Sequence, residues 1–368
     1  MTGQEKASAP STKSGSATAR LLAWYDHERR DLPWRSDNPE PYTVWLSEIM
    51  LQQTTVATVT PRFQAFLKRW PTIWTLSEAS LDDVLHEWQG LGYYARARNL
   101  HRCAKVVVHE FGGTFPETEA GLRALPGIGD YTAAAIAAIA FGLPTVPVDG
   151  NIIRVISRFE MLDAPMPAGK KQIVLMVAGM VPADRPGDFA QAMMDLGATV
   201  CTPRSPKCGP CPWTKDCRAH GRGKEDHYPV KKVRPEKPTR HGVIFWLVDA
   251  KGRVLLRRRP EKGLLGGMME FPSTDWRDTP WAIVEAIREF PAISPGQALH
   301  WQDTEGAVRH TFTHFHLVLD VVRATGEAPS SNGVWCAPDR LDEYALPTVM
   351  KKVVTHALNA EAKGDQPS

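Results

Sequence analysis

Two carboxylates occupy positions where ionised groups are costly. Glu48 lies in VWLSEIMLQQT, Val44 to Thr54, where Leu46, Ile49 and Met50 recur at helical spacing. Burying a carboxyl there would disfavour its charged form, so Glu48 could stay protonated near neutral pH and donate to a leaving group. On the exposed stripe of an amphipathic helix it would be only a solvated charge. Asp149 sits in a Val-Asp-Gly-Asn turn that closes an apolar run and opens a helix at Ile152. It is either a plain helix cap or a group facing whatever the preceding segment holds. That segment contains LPGIG, Leu125 to Gly129, a turn between two helical patterns. Gly127 and Gly129 let backbone N–H groups approach a phosphate at the start of the second helix, with no preference for sequence.

A third group points to a metal. Cys201, Cys208, Cys211 and Cys217 are four of only six cysteines, spaced C-x6-C-x2-C-x5-C among Pro and Gly. In a chain expected to be cytosolic this is a metal or cluster site rather than a disulfide framework. The spacing matches neither the paired arrangement of zinc ribbons nor that of ferredoxins, so zinc and a 4Fe-4S cluster stay equally open on spacing alone. Cys103 and Cys336 are isolated and expected in the core.

The elements that must carry these groups fall into two textures. With 368 residues the chain should form about two domains. No apolar run reaches the roughly 18 residues needed to span a bilayer, and the first 20 residues lack the apolar stretch of a signal peptide. The net charge is only +3, but eleven Lys or Arg against four Asp or Glu fall between Cys201 and Arg240, which suits either a solvated linker or a phosphate backbone. Residues 1–20 are Ser, Thr, Ala, Gly and Lys-rich and read as a disordered tail. Residues 21–225 are helical in pattern and include the cysteine loop 201–217, and 226–239 is a basic linker. Residues 240–358 form an α+β domain, with β-rich runs at His241–Leu247, Arg253–Arg257, Thr311–Val322 and Val334–Cys336 and a helical segment from Pro280 to Glu289. Residues 359–368 read as a second tail.

Together these motifs resemble the endonuclease III superfamily of helix-hairpin-helix DNA glycosylases, in which the aspartate after the hairpin is the catalytic carboxylate. Members that also cut the backbone carry a Schiff-base lysine two residues past the last hairpin glycine. Here that position is Tyr131. WLSEIMLQQT resembles the signature of the MutY family of adenine glycosylases, where the glutamate protonates departing adenine. The resemblance covers about Leu21 to Ala357. It implies an all-α helix-hairpin-helix domain whose four cysteines hold one 4Fe-4S cluster, linked to an α+β Nudix-like domain. By resemblance Glu48 is the acid and Asp149 stabilises or attacks the anomeric carbon, while Tyr131 and Asn151 position these groups and water; the alternative for Tyr131 is packing.

The same resemblance places Trp34 and Arg35 near the flipped adenine and puts Leu51, Gln53 and Tyr93 around the opposing base. An aromatic wedge such as Tyr93 would offset the cost of extruding a base. In the second domain HTFTHFHL, His310 to Leu317, resembles the Phe-Ser-His loop that reads 8-oxoguanine, with Phe312, Thr313 and His314 in its places. Thr313 keeps the serine hydroxyl and adds a methyl. On a continuous strand Phe312, His314 and His316 would share one face. The glutamate-rich Nudix helix is absent, since Trp281 to Phe290 reads WAIVEAIREF. The implied partner is double-stranded DNA with A:8-oxoguanine or A:G mispairs, acted on by a monomer with no membrane, in the bacterial cytoplasm at the nucleoid. The rival readings are a strand-cleaving endonuclease III-like enzyme, a non-catalytic iron-sulfur DNA binder and a nucleotide pyrophosphohydrolase.

Overall fold

A computed structural model describes residues 12–232, 236–260, 263–290, 299–327, 333–344 and 346–364. The chain divides into two compact units, one of Met1–Ser80 with Arg98–Val233 and one of Leu81–Ala97 with Arg234–Ser368.

The first unit is helical: α1 (Thr12–Glu28), α2 (Pro41–Leu51), α3 (Val56–Arg69) and α4 (Ile73–Glu78), then, after α5 (Leu81–Glu87) of the other unit, α6 (Ala95–Phe111), α7 (Glu119–Ala124), α8 (Asp130–Phe141), α9 (Gly150–Glu160), α10 (Lys170–Ala178) and α11 (Pro186–Asp195). A π-turn, Leu196–Val200, leads into the cysteine loop. Pro41 at the start of α2 uses a position whose N–H has no helical partner. The apolar run from Tyr42 to Met50 makes this helix buried nearly all round. It packs on α8, whose DYTAAAIAAIAF sequence buries Thr132 to Ala138 and, being alanine-rich, lets the two axes approach closely. A second cluster joins Leu21 and Tyr25 of α1 to Ile152, Val155 and Ile156 of α9, Phe189 and Met193 of α11, and Trp213.

The tail expected over residues 1–20 does not extend that far. Helix α1 begins at Thr12, with Ala17 and Thr18 buried and the Thr18 hydroxyl donating to the Met180 carbonyl at 2.8 Å. Of that small-residue stretch, Ala17 and Thr18 pack into the interior. Residues 1–11 lie outside the described set. The basic stretch after the cysteines is anchored at first: Tyr228 is buried, its hydroxyl donating to Asp163 at 2.7 Å, and the Met166 N–H bonds the Val230 carbonyl.

The second unit holds a sheet of strands β1 (Thr239–Val248), β2 (Val254–Arg258), β3 (Met269–Glu270), β4 (Gln302–Thr311), β5 (His316–Thr325) and β6 (Val334–Cys336), ordered β3-β2-β1-β5-β4 with β6 on β2. Strands β1 and β5 are parallel, with Thr239 opposite His316; β4 and β5 form an antiparallel hairpin. One face buries Ile244, Trp246, Leu317 and Leu319 against Val349, Met350 and Val353 of the C-terminal helix α13 (Thr348–Gly364). The other packs Val243, Phe245 and Val322 against Ala286 of the short helix α12 (Ile283–Arg288), with Phe290 and Trp301.

Three expectations change here. The run Thr311–Val322 is not one strand: Phe312 to Phe315 form a turn closed by the Phe312 N–H on the Phe315 carbonyl at 2.9 Å. Strand β4 went unread because only Thr304 and Val308 of QDTEGAVRHT are buried, too sparse for an alternation signal. The tail at 359–368 is helical through Gly364, continuing a helix whose Val353 and Ala357 face the core; residues 365–368 are outside the described set.

Candidate active site

Helix α2 delivers Glu48 into the interior, where the residue is only 6% exposed. Burial pushes its carboxyl up to about 7 and the Asp149 charge adds to the rise, while a hydrogen bond from the Tyr131 hydroxyl and the Arg35 charge hold it back. The exposed-stripe alternative is therefore excluded. Tyr131 comes from the first turn of α8, and its hydroxyl also points at Met194 Sδ, 3.7 Å away. Its phenol is raised well above its ordinary value by burial and by the two carboxylates, so it stays a neutral donor.

Asp149 is both cap and site residue. It is the N-cap of α9, accepting from the Ile152 N–H at 2.7 Å through Oδ1, while Oδ2 accepts from Asn151 Nδ2 at 2.9 Å. Burial raises its carboxyl, and these hydrogen bonds with the Arg154 charge oppose the rise. Both carboxyls are thus lifted, and only Glu48 lacks a helix N-terminus to offset burial.

Arg154 was not anticipated. Its guanidinium donates to Asn151 Oδ1 at 2.9 Å, to the Gly197 carbonyl and to the Cys201 carbonyl at 2.8 Å, so Asp149, Asn151 and Arg154 run in sequence to the first cysteine of the loop. One turn on, Arg158 is fully buried, donating to the Thr202 and Pro203 carbonyls and to Cys201 Sγ at 3.4 Å. Two arginines four apart in the apolar NIIRVISRF were the available signal: a helix face cannot bury both unless it serves acceptors elsewhere.

All four loop cysteines are free and line one cavity with Arg158 and Trp213. Burial raises the Cys208 thiol to about 12, the Cys211 thiol to about 11 and also the Cys217 thiol, and neighbouring thiolates add to the rise. Four cysteines converging on one cavity ionise together only around a cation, so this donor set suits a soft metal or cluster. Cys208, His220 and Glu225 also bring one donor atom each within 4.8 Å of one another. His220 and Glu225, 2.6 Å apart, lay outside the cysteine pattern and gave no sequence signal.

The other predicted residues divide by exposure. Arg35 is bidentate on Asp195, at 2.7 and 2.8 Å, and Arg30 Nε holds the same carboxylate at 2.7 Å. Burial would raise Asp195, but these arginines hold it below its ordinary range. Asp195, in the apolar QAMMDLG, carried the same signal as Glu48 and was missed. Trp34 is buried edge-on to Phe63, ring centres 5.4 Å apart. Gln53 and Tyr93 are exposed with φ of 58° and 47°, a conformation costly for residues with a Cβ, while Leu51 is half-buried. Gly127 has φ 78°, and a Cβ there would fall 2.6 Å from the Asn99 side chain. Gly129 is the N-cap of α8, with no side chain to cap the helix N-terminus.

In the second unit Thr313 and His314 are exposed at the tip of the 312–315 turn, with Phe312 half-buried beneath them. The Tyr93 hydroxyl lies 3.2 Å from that of Thr313. An open cavity of about 500 Å³ beside the turn is lined by Thr239, Arg309, His310, Thr311, His316 and Lys352, with no carboxylate in its walls.

Comparison with known proteins now bears on this geometry. Residues 46–173 match the HhH-GPD superfamily of base excision DNA repair proteins, and residues 243–356 match the NUDIX domain. The adenine DNA glycosylase of Homo sapiens is 36% identical over 397 residues, covering 90% of this chain and 72% of that protein. The chain belongs to the adenine DNA glycosylase family. The adenine DNA glycosylase of Mycolicibacterium smegmatis is 43% identical over 203 residues, 55% of this chain and 69% of that protein. A solved thermostable thymine-DNA glycosylase superposes with a TM-score of 0.53 at 29% identity, over 57% of this chain and 97% of that one. The chain is thus a base-excision DNA glycosylase removing adenine, built from an HhH-GPD helical domain and a Nudix-like α+β domain. Among the described residues no helix is long and apolar enough to cross a membrane.

Proposed function

We propose that this adenine DNA glycosylase acts as a monomer on double-stranded DNA, excising adenine opposite 8-oxoguanine or guanine, and leaves the abasic strand intact. The observation that carries the mechanism is Glu48, buried, bonded to Tyr131 and raised to about 7 beside Asp149. Held protonated, it donates to a ring nitrogen of the flipped adenine as the glycosidic bond stretches. Asp149, fixed by Ile152 N–H and Asn151, faces the positive charge that grows at the anomeric carbon, either stabilising it or bonding to it before water attacks. Trp34 and Arg35 border the adenine, Leu51, Gln53 and Tyr93 border the opposing base, and the Gly127–Gly129 turn holds a backbone phosphate. Tyr131 has no amine, so no Schiff base forms at that position. Phe312, Thr313 and His314 read the 8-oxoguanine, and the carboxylate-free cavity beside them suits the adjoining phosphates.

Cys201, Cys208, Cys211 and Cys217 would hold a 4Fe-4S cluster, which when bound would brace the loop that Arg154 and Arg158 already grip. The tests are direct. Single-turnover excision from A:8-oxoguanine and A:G duplexes should release adenine, and borohydride should trap no protein–DNA adduct. A strong adduct at an amine would overturn the intact-strand reading. The purified protein should be yellow-brown with iron and sulfide in equal amounts; a colourless protein with one zinc would remove the cluster.

A further inference from the structure

We propose that Trp276, backed by Arg259 and Glu270, is the positioning residue for the 312–315 turn and thereby sets discrimination between 8-oxoguanine and guanine. The proposal rests on the reading that this turn faces the oxidised base. Of the turn residues only Phe312 and Phe315 reach inward, so the exposed Thr313 and His314 point where those two rings allow. The Phe312 ring is stacked on Trp276, centres 5.9 Å apart and planes 26° apart, and lies 5.0 Å from Phe315. Trp276 also meets Phe315, at 6.2 Å.

Trp276 itself is fixed from three sides. Its segment runs along β1, where the Thr274 N–H bonds the Val243 carbonyl and His241 and Arg277 exchange backbone hydrogen bonds of 2.7 and 3.0 Å. Beneath the indole lies Gly242, where a Cβ would sit 2.7 Å from Trp276 Cδ1 and 3.0 Å from Leu319 Cδ2; a larger residue in this strand would eject the ring. On another side the Arg259 guanidinium stands 5.1 Å from the ring centre. That cation is itself held: Arg259 pairs with Glu270, which is 1% exposed and also takes Arg257 Nε at 2.8 Å. The sequence of contacts therefore runs from an ion triad centred on the buried Glu270 and from a strand glycine, through one indole, to the ring under the reading loop.

Two measurements on the full chain separate the proposal from the reading it rests on. The first is hydrogen exchange at the Phe312 amide, whose bond to Phe315 closes the turn. The second is the affinity ratio for duplexes with a non-cleavable adenine analogue opposite 8-oxoguanine and opposite guanine. Trp276→Leu should speed Phe312 exchange at least tenfold relative to amides of β5, and lower the ratio at least fivefold, while the excision rate of fully bound A:G substrate stays the same. Trp276→Phe should restore most of both. Phe312→Leu, which removes the ring that Trp276 stacks on, should likewise speed exchange at the amide of residue 312 relative to amides of β5. Unchanged Phe312 exchange in Trp276→Leu and Phe312→Leu overturns the positioning role. Faster exchange with an unchanged ratio means that the turn does not read the oxidised base, and overturns the specificity role instead.

Discussion

Glu48 and Asp149 are held in opposite fashion to Thr313 and His314. The carboxylates lie behind α2, α8 and α9, each with named partners; Thr313 and His314 stand in solvent, with the Phe312 and Phe315 rings beneath them and the Tyr93 hydroxyl 3.2 Å from that of Thr313. Chemistry that depends on a shifted proton needs exclusion of water, because a carboxyl in water returns to its ordinary pKa. Recognition of a base edge needs the reverse, groups free to meet a partner and kept from wandering. On the function proposed above, the reacting groups are buried and over-determined, and the reading groups are exposed and held by a few contacts at the base of their turn. Substitutions should accordingly cost far more in the first region, and mostly in rate, while those in the second should cost less, and in discrimination.

The sharpest way to break this contrast is Glu48→Gln, which keeps shape and burial but removes the transferable proton. Single-turnover adenine excision should fall by about 10²–10⁴-fold, the usual yield of a positioned acid, with duplex affinity nearly unchanged. A variant at wild-type rate would dismiss Glu48 as the acid.

The same residue links activity to pH and stability. Its carboxyl is raised in the folded protein from 4.5 to about 7, so the folded state favours the neutral form. That contribution to stability is fully present below pH 4.5 and is lost as pH rises through 7; the displacement corresponds to about 3 kcal/mol. Excision should therefore decline with pH through about 7. The Glu48→Gln protein should be the more stable of the two above that pH, and their denaturant midpoints should converge towards pH 5. Equal stability at every pH would mean that Glu48 titrates as an ordinary surface acid.

Arg154 probes how far the over-determination extends. Arg154→Leu strips Asn151, Gly197 and Cys201 of their shared donor, leaving buried acceptors unmet. Because a shift of about 1 Å at a reacting group can cost 10²-fold, excision should drop by roughly that factor, with metal content lowered in parallel. Full metal content with an unchanged rate would mean that the Cys201 loop and Asp149 are independent.

How much of this was legible in the sequence follows the same contrast. Glu48 was readable because a charge in a run of Leu, Ile and Met has few reasons to exist, and Asp195 carried the same signal and could have been found by the same test. The hairpin was readable because Gly127 must adopt a conformation that few other residues tolerate. Arg154 and Arg158 left a signal in their spacing but not their partners, since the Cys201 acceptors lie more than 40 residues away along the chain, and His220 and Glu225 gave no signal because nothing local ties their pair to the cysteines. The reading loop was half legible: HTFTHFHL alternates like a strand, and nothing local says that four of its residues turn. The cue is Trp276, 36 residues before Phe312, which supplies the surface on which the chain reverses.

The smallest effect should come from Thr313, where the pocket differs from a serine-bearing loop by one methyl. Its hydroxyl lies 3.2 Å from that of Tyr93, both groups exposed, so the pair is a neutral hydrogen bond competing with water. Such a bond contributes about 0.5–1.5 kcal/mol, and removing both partners together is milder than orphaning one. Thr313→Ala should therefore lower affinity for an 8-oxoguanine duplex no more than about tenfold, and Tyr93→Phe by a similar or smaller factor. The double variant should lose less than the sum, because the two singles break one shared bond. Thr313→Ser should retain the hydroxyl contact and bind at least as well as wild type. If Thr313→Ser instead loses affinity, the methyl is packing against the bound base, and the turn is a shaped surface as well as a source of hydrogen bonds.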